Sequence, residues 1–179
     1  MELIFVFLAL VVACMTLFIQ RQHNRKELLP VLTTYFEIHC TQETTKLALW
    51  LINDGHGVAI LKETSLHLYE GETIKISKEN GFSEVIKKHC PVARNIETSL
   101  PHTLASNSKE LLYKFEMPNN TDGVFNGASA TVKAESIYED IIVATADGFE
   151  VTSNRRDALV ESWLNGIVDF ALKVIPKRN

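Results

Sequence analysis

Two dipeptides, His39-Cys40 and His89-Cys90, have the residue types that do metal chemistry, because imidazole and thiolate are the usual ligands of a structural zinc site. Their spacing argues against it. Neighbouring residues of a strand point to opposite faces, so His39 and Cys40 cannot close on one ion, and paired zinc ligands normally have about two to four residues between them. The glycines of Asn53-Asp54-Gly55-His56-Gly57 suggest a phosphate cradle, but a cradle feeds the N-terminus of a helix, and Val58 onward reads as strand. A hairpin turn explains them better. For nucleophilic catalysis there is no Gly-x-Ser-x-Gly element, and the six histidines are scattered. Asp157 and Glu161 share a helix face, which is the pattern of a solvated stripe. The sequence therefore assigns no catalytic residue, metal or cofactor, and the chain reads as non-enzymatic. An enzyme whose residues assemble from distant segments is the alternative.

These residues are positioned by a chain with three parts, residues 1–28, 29–152 and 153–179. The first is dominated by an apolar run that starts at Leu3 and ends at Ile19 without a charge inside it. At about 1.5 Å per residue this run reaches roughly 25 Å, the short end of a bilayer span. The expectation is a transmembrane anchor. Only Glu2 is charged ahead of it, whereas Arg21, His23, Arg25 and Lys26 follow. Positive residues stay on the cytoplasmic side, so the C-terminal domain is expected in the cytoplasm, beneath an inner membrane crossed once. Val11-Val12-Ala13-Cys14 has the shape of a lipoprotein cleavage box, but the apolar run continues past Cys14.

Eighteen Lys and Arg against twenty-two Asp and Glu leave a net charge of −4, which excludes a generic nucleic-acid surface. Of the three cysteines, only Cys40 and Cys90 lie beyond the apolar run. Whether they pair stays open, since export would permit a bridge and the cytosol would keep thiols.

Residues 29–152 predict short strands over 31–40, 44–53, 58–69, 73–76, 110–116, 128–134, 138–146 and 149–152. The stretch 44–53 is apolar on both faces and so central, and 44–69 forms a hairpin around residues 53–57. Phe82, Val85, Ile86 and Cys90 recur at helical spacing and predict one short inserted helix. Long helices do not alternate with the strands, so the class is mainly β, an antiparallel sandwich. Residues 153–179 predict a C-terminal amphipathic helix that Asn154 caps and Pro176 ends. Asp157, Glu161, Asn165, Asp169 and Lys173 form one polar stripe, and the remaining circumference is apolar. This helix either covers an open edge or face of the sandwich or binds a partner, with Trp163, Ile167 and Phe170 as the contact residues.

An apolar N-terminal helix with a basic collar, the stretch Leu-Ile-Asn-Asp-Gly-His-Gly-Val-Ala-Ile at 51–60 and Ser-Ile-Tyr-Glu-Asp at 136–140 resemble a loose class of uncharacterised bacterial single-pass membrane proteins. The resemblance implies an immunoglobulin-like β-sandwich in which the Asn-x-Gly-x-Gly turn joins two core strands. It implies no activity. The function expected is that of a membrane-anchored interaction module, binding a protein or a second copy of itself through the sandwich face or the C-terminal helix. The alternative is an extracytoplasmic domain that holds a small ligand or an envelope component.

Overall fold

The computed structural model describes residues 2–69, 71–77, 80–119, 125, 127–152 and 162; within the first helix, the side chains at positions 2–4, 7 and 8 are outside that description. Helix α1 (Glu2–Glu27) runs through the apolar stretch without a glycine or proline, and Pro30 follows its end. Residues 9–17 are exposed at every position, Val11 and Met15 at 38% and 36% less so than Leu10, Val12 and Leu17. Among the described residues no helix is long and apolar enough to cross a membrane. The helix expected there is present, and its described part falls short of a span.

Two antiparallel sheets make a sandwich. The first has the order β1 (Leu32–Cys40), β2 (Thr44–Asn53), β7 (Ser108–Pro118) and β5 (Arg94–Thr98). The second runs β10 (Gly148–Thr152), β9 (Ile141–Thr145), β8 (Ser129–Glu135), β3 (Ala59–His67) and β4 (Thr73–Ile76), with β6 (Thr103–Leu104) beside the start of β3. Helix α2 (Phe82–His89) lies between β4 and β5 and buries Phe82, Val85 and Ile86, the residues whose spacing predicted it. Leu47, Leu49 and Leu51 of β2 and Leu66, Val132, Ala134 and Ile142 of the second sheet meet in the core. Tyr113, Phe115 and Phe125 fill it with edge-on ring contacts. Burial raises the Tyr113 phenol above its ordinary range, and its hydroxyl has no hydrogen-bond partner among the described residues.

The expected 44–69 hairpin does not form. β2 and β3 belong to different sheets, and residues 53–57 carry the chain across the sandwich. The glycines are needed there for close backbone approach. A Cβ on Gly57 would lie 1.7 Å from the Leu28 carbonyl oxygen, and one on Gly55 would lie 2.4 Å from the Val31 nitrogen. The fully buried Asn53 holds the crossing together. Its Oδ1 accepts from the backbone N–H of Val31 at 3.2 Å and of Gly55 at 3.1 Å. Its Nδ2 donates to the carbonyls of Gly57 at 2.8 Å and Ala105 at 2.9 Å. Three separate segments are joined by one side chain.

Two strands went unpredicted. β5 is exposed at four of its five positions, holds Asn95 at a positive φ of 52° and shifts register between Arg94 and Glu97, so it shows no alternation. β6 has only two residues. The segment expected as strand over 138–146 starts instead at Ile141, because Ser136 caps a turn by accepting from the N–H groups of Tyr138 and Asp140, each at 3.1 Å. Asn53→Ala is expected to lower stability by about 2–4 kcal/mol, since it removes four hydrogen bonds to the backbone, of which those to Gly55 and Gly57 are buried. Urea unfolding followed by Trp fluorescence checks this.

Candidate interaction surface

The outer face of the first sheet is set by which side chains of β1, β2 and β7 alternate with the core. Leu47, Leu49 and Leu51 point inward, so Ala48, Trp50 and Ile52 point outward, and cross-strand pairing puts Tyr35 opposite Trp50 and Thr33 opposite Ile52. A bulge in β7 brings a further apolar group to this face. Trp50 pairs with Leu111 while its neighbour Leu49 pairs with Tyr113, so Leu112 is the extra residue and Leu111 turns outward. Tyr35, Trp50, Ile52 and Leu111 form an apolar strip, with Tyr35 more than half exposed and the others partly so.

Charges frame the strip. The Trp50 indole N–H donates to the Glu37 carboxylate at 3.0 Å, and the Lys109 ammonium lies 4.5 Å from the centre of the Trp50 ring. Farther from α1 the same face carries ion pairs between Lys46 and Glu116 at 2.7 Å and between Lys114 and Glu97 at 3.4 Å. The hydrogen bonds from Lys46 and Asn95 hold the Glu116 carboxyl below its ordinary range. A shallow depression of about 350 Å³ between Glu37, Trp50 and Lys114 marks the centre. The outer face of the second sheet differs. Lys62 pairs with Glu135, Glu63 is shared by Lys75 and Lys133, and His67 is held between Thr73 and Thr131.

At the end of the sandwich nearest α1 the chain is locked by charge. Arg25, expected as part of a basic collar, is buried and makes a two-pronged contact through its Nε and an Nη with the carboxylate of Asp140. Ser136 adds a hydroxyl hydrogen bond to the same carboxylate at 3.3 Å. The Arg25 side chain is thus turned to the protein, and α1 meets the sandwich within two helical turns of Ile19.

The residues singled out by chemistry do not converge. His39 faces outward opposite Lys46, whereas Cys40 is on the inner side, with the Thr45 hydroxyl 3.8 Å from its sulfur. Cys90 is buried after α2, and desolvation raises its thiol above the ordinary range. Cys14, Cys40 and Cys90 are all free, and no group of three or more metal-ligating side chains occurs among the described residues. Asp157, Glu161, Trp163, Ile167 and Phe170 lie outside the described residues. The strip and the Arg25 to Asp140 contact were not anticipated. Apolar residues on both faces of β2 signal an uncovered patch as well as a central strand, and the ion pair joins residues 115 positions apart. Comparison with known proteins finds no family model and no curated sequence that this chain matches.

Removing one charge of the buried pair takes from the other the two-pronged contact that offsets its burial. Asp140→Ala is expected to cost about 3–5 kcal/mol, and the double variant Arg25→Met with Asp140→Leu to recover most of that loss, as thermal unfolding of the three proteins would show. Under native conditions Cys40 is expected to react with iodoacetamide while Cys90 stays unmodified until the protein unfolds, a difference read by peptide mass spectrometry.

Proposed function

We propose that the protein is a membrane-anchored, non-enzymatic interaction module, in which α1 spans an inner membrane once, the sandwich lies in the cytoplasm, and the outer face of the first sheet docks a partner protein. The observation that carries this reading is the strip of Tyr35, Trp50, Ile52 and Leu111 with its aromatic pair, set against an outer face of the other sheet that joins the ion pairs of Lys62 with Glu135 and Lys75 with Glu63 to the aliphatic Ile141 and Val143. An aromatic centre ringed by charges that already have partners is the anatomy of a surface that is stable alone and also binds. The anchor rests on the uncharged run from Leu3 to Ile19 and on side chains exposed around the helix. Its direction rests on the basic residues Arg21 and Lys26 on the sandwich side. The immunoglobulin-like character suggested by the resemblance fits an antiparallel sandwich whose Asn53 turn crosses between sheets.

The same strip would serve an extracytoplasmic domain, so topology and docking are tested together. A photo-crosslinking residue at position 35 is expected to trap one discrete cellular partner, and the same residue at Lys133 on the opposite sheet to trap none. Trp50→Ala is expected to weaken the trapped complex by about 2 kcal/mol, roughly thirtyfold. Equal trapping at both positions would refute the docking face. Labelling of Cys40 by an impermeant maleimide in intact cells would refute the cytoplasmic placement.

A further inference from the structure

Two charges touch Trp50 from opposite flanks of the strip. Glu37 belongs to β1 and lies opposite Ala48, one outward position from Trp50 along β2, and its carboxylate accepts the indole N–H at 3.0 Å. Lys109 belongs to β7 and lies opposite Ile52, one outward position in the other direction, and its ammonium sits 4.5 Å from the ring centre. Neither has an oppositely charged side chain within ion-pair distance among the described residues. The neighbouring charges of the face differ, because Lys46 is paired with Glu116 at 2.7 Å and Lys114 with Glu97 at 3.4 Å. Trp50 therefore carries an anion without a counter-charge on one side and a cation without one on the other. Exposed apolar residues also lie where β1 passes β9 and β10, at Ile38, Phe149 and Val151, but nothing among the described residues shows what covers them.

The charge pattern selects among occupants of the strip. A bilayer surface or a nucleic acid presents mainly one sign of charge, and would set either Glu37 or Lys109 against its own sign. Both signs side by side are a property of polypeptide. The depression beside Trp50, with the small Ala48 among its lining residues, is open and measures about 350 Å³. That is the low end of ligand-pocket sizes and suits an inserted side chain. An extended segment turns every second side chain to one face, so three alternate residues reach the strip together and span about 13 Å, as positions 48, 50 and 52 do along β2.

Resting on the docking face described above, we propose that the partner presents an extended segment whose apolar side chain enters the depression beside Trp50. A basic residue on one side of it pairs with Glu37, and an acidic residue on the other side pairs with Lys109. The two charges set which partners are admitted, because the apolar strip accepts any apolar group whereas a like charge opposite Glu37 or Lys109 costs affinity.

The test uses the full chain in detergent and a displayed library of random nine-residue peptides. Sequences with an acid and a base on either side of an apolar residue are expected to be enriched at least about tenfold, and Trp50→Ala to enrich none of them. Glu37→Lys is expected to shift the selected sequences to two acids and Lys109→Glu to two bases, both substitutions being at exposed positions. In one selected peptide, replacing the acid by its amide is expected to weaken binding about three- to tenfold to the unaltered protein and to leave binding to Lys109→Gln unchanged, as read by fluorescence anisotropy. Enrichment that depends on Trp50 but shows no charge preference, or a preference that the two reversals leave in place, would overturn the charge assignment and leave the docking face standing. No enrichment would also overturn the assignment, and trapping at position 35 in cells then decides whether the docking face stands. A dimer in sedimentation that Glu37→Lys and Lys109→Glu each abolish and their mixture restores would give the face to a second copy and overturn the proposal.

Discussion

The side-chain amide of Asn53 is the contact on which the arrangement of the other parts depends. It is the last residue of β2, and from that position it fixes the stretch leading into β1, the crossing between sheets and the loop before β7. Because the four groups it satisfies are backbone groups, they cannot be replaced by repacking side chains, and the buried bonds to Gly55 and Gly57 would be lost with the amide. Gly55 and Gly57 belong to the same constraint. They let residues 28–31 press against the crossing, with Asp54 N–H donating to the Val31 carbonyl at 2.9 Å. The start of one sheet is thereby pinned to the point where the chain enters the other.

The Arg25 to Asp140 pair extends that joint from the sandwich to α1. A buried pair of this kind is weak as a source of net stability, because removing two charges from water costs about as much as their attraction returns. Its value lies in geometry. A guanidinium held at two atoms by one carboxylate, itself fixed by the Ser136 turn, sets both the distance and the rotation of the helix end relative to β9. A helix joined by a flexible linker would leave the orientation of the sheets free. In the proposed arrangement this joint holds the outer face of β2 at a fixed angle to α1 instead of letting it tumble.

Most of the strands, and α2, could be read from the chain because local alternation and turn residues agree with burial. β2 reads the same in sequence and structure, from Thr44 to Asn53, and Phe82, Val85 and Ile86 turn inward as their spacing required. What escaped was pairing. Asn53-Asp54-Gly55-His56-Gly57 has hairpin composition, and nothing local distinguishes glycines required by a tight turn from glycines required by a neighbouring backbone. The bulge at Leu112 was hidden for a related reason, since Leu111, Leu112 and Tyr113 are consecutive apolar residues and the one that turns outward is fixed by the register with Trp50. β5 lacked any pattern because it pairs at an edge through an irregular ladder. The candidate strip was therefore visible only as an excess of apolar residues on β2, and the Arg25 contact only as one member of a basic cluster.

The two exposed apolar regions differ in a way that separates a surface for a partner from a gap in the core. On the strip, the two charges beside Trp50 have a companion within the chain, since Glu37 takes the indole N–H and Lys109 lies over the ring. Such a surface can remain in water and be covered intermittently without leaving an unsatisfied charge, which suits a non-obligate complex. The margin where β1 passes β9 and β10 has no such frame among the described residues. Ile38, Phe149 and Val151 face the interior and adjoin strand edges whose backbone groups have no ladder partner among the described residues, so exposure there costs both apolar area and protection against edge-to-edge association.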